Sequence, residues 1–429
     1  FAEKIKHQAK RCLLDYIGVT LTGAQLLEDK KKNLSIALGK AEGNITLIGF
    51  GDKTSVERAA FINGLCAHVA ELDDGVISGI VHPGSPIISA LLPLAEKENV
   101  KGDDLLKGII VGYEAAVRLA CSIQPSHKKK GYHATATCGA IGSAIGIATM
   151  MHFSKLEMKI ALSVAAVSAF GTLKVLENNS ELKPYNVAQA ALIGIFSAAM
   201  AKAQFNVPDD VLSGDTGFLK MVTDSFDPSH LYEYQKVYAI EQVYFKPYAA
   251  CRYCHSAIDA ALKVKQKYSI NIEDIKKINI ATYSLAVNNH DHIQIDCPSS
   301  AKMSIPYSVA VSIVTNEAGI KQFTQKYIDN IEIISLTKKI SVRADEEISS
   351  LFPKQSAALI EIYTNDGEIY TEKVDKPKGD PENPLTDIEL LQKFEQSAEF
   401  RNKSEEERGK IINIVRNIEK DLPELYQYL

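Results

Sequence analysis

The sequence predicts a mainly α-helical protein carrying a smaller α+β unit. Three observations lead there. Up to about residue 235, apolar residues recur at helical spacing in segment after segment. Near residue 239 the texture changes to alternating apolar and polar runs with a hairpin-type turn. Beyond Pro384 the pattern is helical and charged again. Composition agrees. Of 429 residues, 46% are hydrophobic and 24% charged, which excludes disorder and collagen-like repeats. There is no Trp. The apolar bulk comes from Ala, Ile, Leu and Val with many Gly and Ser among them, which suits closely packed helices.

The elements follow in order. Ile5, Ala9, Cys12, Leu13, Tyr16 and Ile17 mark a first amphipathic helix, ended by Thr22-Gly23. Asn44 to Phe50 is a short strand-like run closed by Gly51-Asp52. Thr54-Ser55-Val56-Glu57 is a capping-box pattern and opens a helix to about Leu72. Gly84–Lys97, Asp103–Ile123, Ala134–Met151, Leu156–Phe170 and Pro184–Phe205 are predicted helices. Several carry Ala, Gly and Ser on more than one face, the pattern of buried helices. Ile275–Tyr283 and Lys339–Arg343 read as strands. Ser356–Tyr363 and Glu368–Val374 are strands flanking the turn Asn365-Asp366-Gly367. Helices near Ser304–Thr315 and Tyr327–Leu336 lie between them. Pro377 to Pro384 reads as a linker, and Glu405-Glu406-Glu407-Arg408 as a solvated helix face.

A net charge of −5 argues against a nucleic-acid partner. Seven scattered cysteines do not form a disulfide framework in a chain this long, so a cytoplasmic location is expected. Phe1-Ala2-Glu3-Lys4 lacks a signal-peptide pattern, and no apolar stretch is long enough to span a bilayer. No G-x-G-x-x-G follows a strand, so no dinucleotide site is expected. Cys251 and Cys254 lack a second pair. His68, Asp73, Asp74 and His82 lack the spacing of a metal-ligand motif. Neither a cofactor nor a metal is predicted.

Four polar groups stand where predicted apolar helices begin: His82-Pro83-Gly84, Tyr132-His133, Lys183-Pro184 and Arg252-Tyr253-Cys254-His255. Helix N-termini favour anions and disfavour a protonated histidine, leaving a neutral imidazole for proton transfer. Lys183, Lys246 and Arg252 add full positive charge. Together they describe a pocket for a small di- or tricarboxylate. A fifth group, His68, Glu71, Asp73 and Asp74, is expected at a helix C-terminus. There the helix field is negative and a carboxylate holds its proton more tightly, which suits an acid/base role.

These residues resemble the MmgE/PrpD family, which includes 2-methylcitrate dehydratase, cis-aconitate decarboxylase and iminodisuccinate epimerase. The matching runs are Asn63-Gly64-Leu65-Cys66-Ala67-His68, Glu71-Leu72-Asp73-Asp74, His82-Pro83-Gly84, Gly112-Tyr113-Glu114 and Gly131-Tyr132-His133. Thr137-Cys138-Gly139, Lys183-Pro184, Lys246-Pro247-Tyr248, Cys251-Arg252, His255, Ser304-Ile305-Pro306-Tyr307 and Pro377-Lys378-Gly379 complete the series, in the family's order. The resemblance implies a large all-helical domain built from both chain ends, residues 1–238 and 386–429, with a smaller inserted α+β lid domain, residues 239–385. It further implies a homodimer needing no metal or organic cofactor. Family functional positions carry over onto Asp73, His82, His133 and Lys183, and onto the Lys246–His255 segment.

One run departs from the dehydratase and decarboxylase branches. These tend to carry Asp-Phe-Asn/Asp-Asp-Thr-Trp where this chain has Glu71-Leu72-Asp73-Asp74-Gly75-Val76. In the decarboxylase branch a histidine also stands at the position of Cys251.

The expected function is a 2-methylcitrate dehydratase-like lyase acting through an enolate-like intermediate. A cofactor-independent epimerase of an iminodisuccinate-like dicarboxylate is second. A non-catalytic carboxylate binder is the competing class, and a metal-dependent hydrolase is a third. Asp73, His82, His133 and Lys183 are the expected catalytic residues. His68, Tyr132, Lys246, Arg252 and His255 are the expected substrate-binding residues.

Overall fold

The structure is a computed structural model that describes residues 1–39, 42–177, 180–233 and 236–429. The protein is mainly helical with a small α+β part. Two compact units divide it: residues 1–244 with 386–429, and residues 245–385.

The first unit is helical apart from a two-stranded ribbon, Ile45–Thr46 against Lys53–Thr54. Its centre is the Ala134–Met150 helix, nearly all of which is buried. That helix packs on Gly102–Ile123, Lys183–Lys202, Gly84–Glu98 and Lys155–Ser168. Backbone meets backbone at its crossing with Gly102–Ile123. A Cβ on Gly142 would lie 2.8 Å from the Gly112 carbonyl oxygen, and one on Gly146 would lie 2.9 Å from that of Gly108. No side chain fits there, so the glycine pairs set the interhelical distance that the small-residue composition implied.

Several boundaries differ from the sequence reading, and at two of them the reason is visible. The first helix runs through Gly23 to Leu26. Gly23 does not end it, because its bare Cα rests on the Cys66 carbonyl, 1.9 Å from where a Cβ would stand. The helix begun by the Ser55 cap stops at Val69, short of Leu72, because Glu71 adopts φ +55° and turns the chain out of the helix. A helix over Glu28–Leu38 was not predicted at all.

The chain returns after residue 385 to complete this unit. The capped helix Asp387–Phe400 packs on Glu3–Leu26. Between them lies a buried ion pair: Lys393 Nζ is 2.5 Å from Asp15 Oδ1 and also donates to the Leu72 carbonyl at 2.8 Å.

The second unit holds a four-stranded sheet in the order Ile340–Ala344, Ile275–Thr282, Ala358–Thr364, Ile369–Val374. The first pair is parallel and the others antiparallel. Gly367, at φ +94°, makes the turn of the last hairpin. The His255–Tyr268 helix covers one face of this hairpin, and Ile305–Thr315 packs on that helix. The predicted Tyr327–Leu336 helix is two short pieces, Gln325–Ile328 and Ile331–Thr337, separated at the Asn330 cap.

Candidate active site

Three histidines far apart in sequence meet inside the first unit. The ring centroids of His68 and His82 are 5.2 Å apart, and those of His68 and His133 are 6.0 Å apart. His68 comes from the last turn of Val56–Val69. His82 precedes the Gly84–Glu98 helix, and His133 stands immediately before Ala134–Met150.

Their hydrogen bonds fix three tautomers. His82 Nδ1 lies 2.6 Å from the Asp74 carbonyl oxygen. A carbonyl only accepts, so Nδ1 carries the proton and Nε2 keeps its lone pair. His68 Nδ1 is 2.6 Å from Asp73 Oδ2, which also accepts from the Ser85 hydroxyl at 2.7 Å. His68 Nε2 is buried with no hydrogen-bond partner. His133 is the reverse. The Asn186 amide donates to its Nδ1 at 3.2 Å and to the Thr172 carbonyl at 3.2 Å. Neutral His133 therefore carries its proton on Nε2. Burial holds its pKa well below the usual histidine range, helped by His68, Lys183 and His82 and opposed by Glu71.

The carboxylates divide just as sharply. Asp74 lies five residues beyond the end of its helix and serves the start of the next. Its Oδ1 accepts from Gly84 N–H at 3.0 Å and its Oδ2 from the Tyr113 hydroxyl at 2.6 Å. A Cβ on Gly84 would meet Tyr113 Oη at 2.5 Å and both Asp74 oxygens at 2.8 Å, so only glycine admits this arrangement. Asp74 does hold its proton tightly, at about 7. The cause is burial, with Asp15 and Asp73 nearby, rather than a helix C-terminus. Glu71 pairs with Lys183, the first residue of its helix.

Gly75 and Tyr244 exchange backbone hydrogen bonds, N–H to O at 3.1 and 2.8 Å. The Tyr244 ring packs edge-on to His82, with centroids 6.3 Å apart. It fills the space a side chain at position 75 would take, its hydroxyl 2.4 Å from an added Cβ.

The structure thus brings together Asp73, His82, His133, Lys183 and His68. Tyr132 turns aside and packs against His127 and Phe170. Glu71 and Asp74, read from the sequence as members of the fifth polar group but given no catalytic or binding role of their own, belong to the same cluster, as do Ser85, Tyr113, Asn186 and Tyr244, which were not among the predicted site residues. Tyr113 and Glu71 lay within the motif runs. Ser85, Asn186 and Tyr244 gave no such signal.

Lys246, Arg252 and His255 are buried in the second unit. Arg252 donates to the Lys378 carbonyl at 3.1 Å and lies 3.4 Å from Asp380. Both ring nitrogens of His255 are engaged, Nδ1 by Arg252 at 3.3 Å and Nε2 by the Ala250 carbonyl at 3.1 Å.

Among the described residues, no three His, Cys, Asp or Glu side chains form a metal-binding group. None of the seven cysteines is in a disulfide. Among the described residues, no helix is long and apolar enough to cross a membrane.

Residues 1–231 match the model of the MmgE/PrpD N-terminal domain, and residues 248–420 that of the MmgE/PrpD C-terminal domain. The chain is 27% identical over 416 residues to a cis-aconitate decarboxylase of Aspergillus terreus, covering 91% of this chain and 84% of that one. Cis-aconitate decarboxylases of Mus musculus and Homo sapiens are 24% and 23% identical. These two alignments cover 92% and 97% of this chain, and 82% and 88% of the relatives. The two domain matches together account for nearly the whole sequence, and the chain belongs to the MmgE/PrpD family.

Proposed function

We propose that this protein is a lyase that acts on a small di- or tricarboxylate through an enolate-like intermediate. The observation that carries this reading is the set of three imidazoles with opposite tautomers beside a lysine. His82 Nε2 is the basic nitrogen that accepts a proton, and His133 Nε2–H is the group that donates one. When CO₂ or a proton leaves the carbon next to a carboxylate, the bonding pair stays behind and is delocalised into that carboxylate; in a dehydration the α-proton goes to a base first and the pair then expels the β-hydroxyl, which leaves as water on taking a proton. The Lys183 ammonium stabilises the charge that develops. His133 returns a proton to carbon, where the product requires one, and is reprotonated from solvent. The Asp73–His68 pair, fixed by Ser85, orients the cluster and holds a second basic nitrogen. The cis-aconitate decarboxylase relatives support a tricarboxylate as substrate.

Lys246 and Arg252 are proposed carboxylate-binding groups on charge and motif alone, with His255 holding the Arg252 guanidinium. We also propose a homodimer in a reducing cytoplasm. Exposed Val167, Phe170, Tyr185 and Phe196 supply apolar surface for a partner copy, and the seven free thiols agree with the compartment.

A second reading, an epimerase, is favoured by one observation. A base and an acid in a single cluster suit removal of an α-proton and its return to the opposite face. NMR in D₂O with cis-aconitate, methylcitrate, citrate and iminodisuccinate separates the readings. Loss of CO₂ or water marks a lyase, and α-deuteration without net loss marks an epimerase. A binder leaves every substrate unchanged. On the confirmed substrate, His133→Ala and Lys183→Ala are expected to lower kcat at least about a hundredfold. Near-wild-type turnover in both sinks the assignment.

A further inference from the structure

Among the described residues, Glu71 pairs with Lys183, the lysine of the cluster. Asp73 is held by the His68 ring and the Ser85 hydroxyl, and Asp74 by Tyr113 and the Gly84 backbone. Those donors are parts of the helical scaffold. Glu71 instead reaches the ammonium of a flexible lysine, and both side chains are largely withdrawn from water, at 8% and 14% exposure. Its backbone is left-handed, at φ +55°. A long-chain residue rarely adopts that conformation, which concentrates where function demands it. Glu71 N–H bonds to the His68 carbonyl at 3.1 Å, so the turn that delivers Glu71 starts from a residue of the cluster itself.

The charges then pose a problem. Among the described residues of this cluster, Lys183 carries the fixed positive charge, and Glu71 already cancels it. A substrate carboxylate meets no net attraction at Lys183 while that pair is intact. We propose that Glu71 competes with the substrate's carboxylate for Lys183: binding exchanges one carboxylate for the other on the same ammonium. This inference rests on the proposed role of Lys183 as a carboxylate-binding group. Glu71 thereby sets the affinity. It weakens capture of any anion that cannot displace it and speeds release of product by reclaiming the lysine. A monocarboxylate, with one contact to offer, is discriminated against more strongly than a di- or tricarboxylate held elsewhere as well.

The test is calorimetric binding of tricarballylate, a non-reacting tricarboxylate, to the full chain. Glu71→Gln removes the competing charge at nearly constant volume. Glu71→Asn does the same with a residue that tolerates the left-handed region, so one of the two remains folded if the other does not. Either is expected to bind roughly tenfold tighter than wild type, equivalent to about 1.4 kcal/mol. Lys183→Met is expected to bind at least about tenfold more weakly. In the double variant the gain from losing Glu71 should largely disappear. Equal or weaker binding by both Glu71 variants overturns the proposal, as does a full gain that persists without Lys183. Unchanged binding by Lys183→Met overturns the reading of Lys183 itself, which is a separate failure.

Discussion

Asp74→Asn isolates the energetic cost of a carboxyl group built into the floor of the site. Asp74 is 3% exposed, and burial raises its pKa from 3.8 to about 7 despite the bonds from Tyr113 and Gly84. The folded state therefore keeps this proton at pH values where the unfolded chain has released it. The penalty is absent below about pH 3.8, grows as pH rises and is complete above about 7. Each tenfold change in proton affinity corresponds to about 1.36 kcal/mol, so the full penalty is about 4 kcal/mol. Asparagine is neutral at every pH and keeps an oxygen for the Gly84 N–H. The variant should match or fall slightly below wild type near pH 4, then gain on it by several kcal/mol near pH 8. Urea unfolding followed by far-ultraviolet circular dichroism at the two pH values measures this difference directly. Titrating groups remote from Asp74 contribute equally to both proteins and drop out. A stability difference that is the same at both pH values refutes the reasoning, because it would mean Asp74 ionises normally inside the fold.

Two further substitutions probe the frame around the site. Lys393→Met strands the buried Asp15 and removes the donor to the Leu72 carbonyl. It should cost about 3–5 kcal/mol by urea unfolding, with most of the loss recovered on adding Asp15→Asn. Gly75→Ala puts a methyl group 2.4 Å from the Tyr244 hydroxyl and 2.5 Å from the adjoining ring carbon. The ring must leave His82, at a cost of about 1–3 kcal/mol. The His82 proton resonances should shift in NMR, whereas an unmoved spectrum would show that the ring was not holding the imidazole.

Much of the fold was legible because its signals are local. Helix starts at Gly84, His133 and Lys183 could be read from Pro, Gly and the apolar runs behind them. The turn at Asn365-Asp366-Gly367 could be read from residue type alone. The compact units divide between residues 244 and 245, a few residues beyond the texture change near 239. What escaped depends on distant partners. Gly23 looks like a terminator until Cys66 is placed against it. Asp74 looks like a misplaced carboxylate at a helix end until Gly84 and Tyr113 arrive to bond with it. The convergence of residues 68, 82 and 133 follows from how three helices cross, and no periodicity encodes that. Asn186 carries no motif at all, yet it decides which nitrogen of His133 holds the proton.

The bond from Lys393 to the Leu72 carbonyl has a consequence for how the enzyme comes into being. Leu72 belongs to the loop that presents Glu71 and Asp73, and its anchor lies 321 residues further along the chain. A chain emerging from the ribosome can form the central glycine-paired helices early, but it cannot fix this loop until Lys393 is out. Completion of this loop thus waits for residue 393. A chain interrupted in the second unit would carry all three histidines and still leave this loop without its anchor.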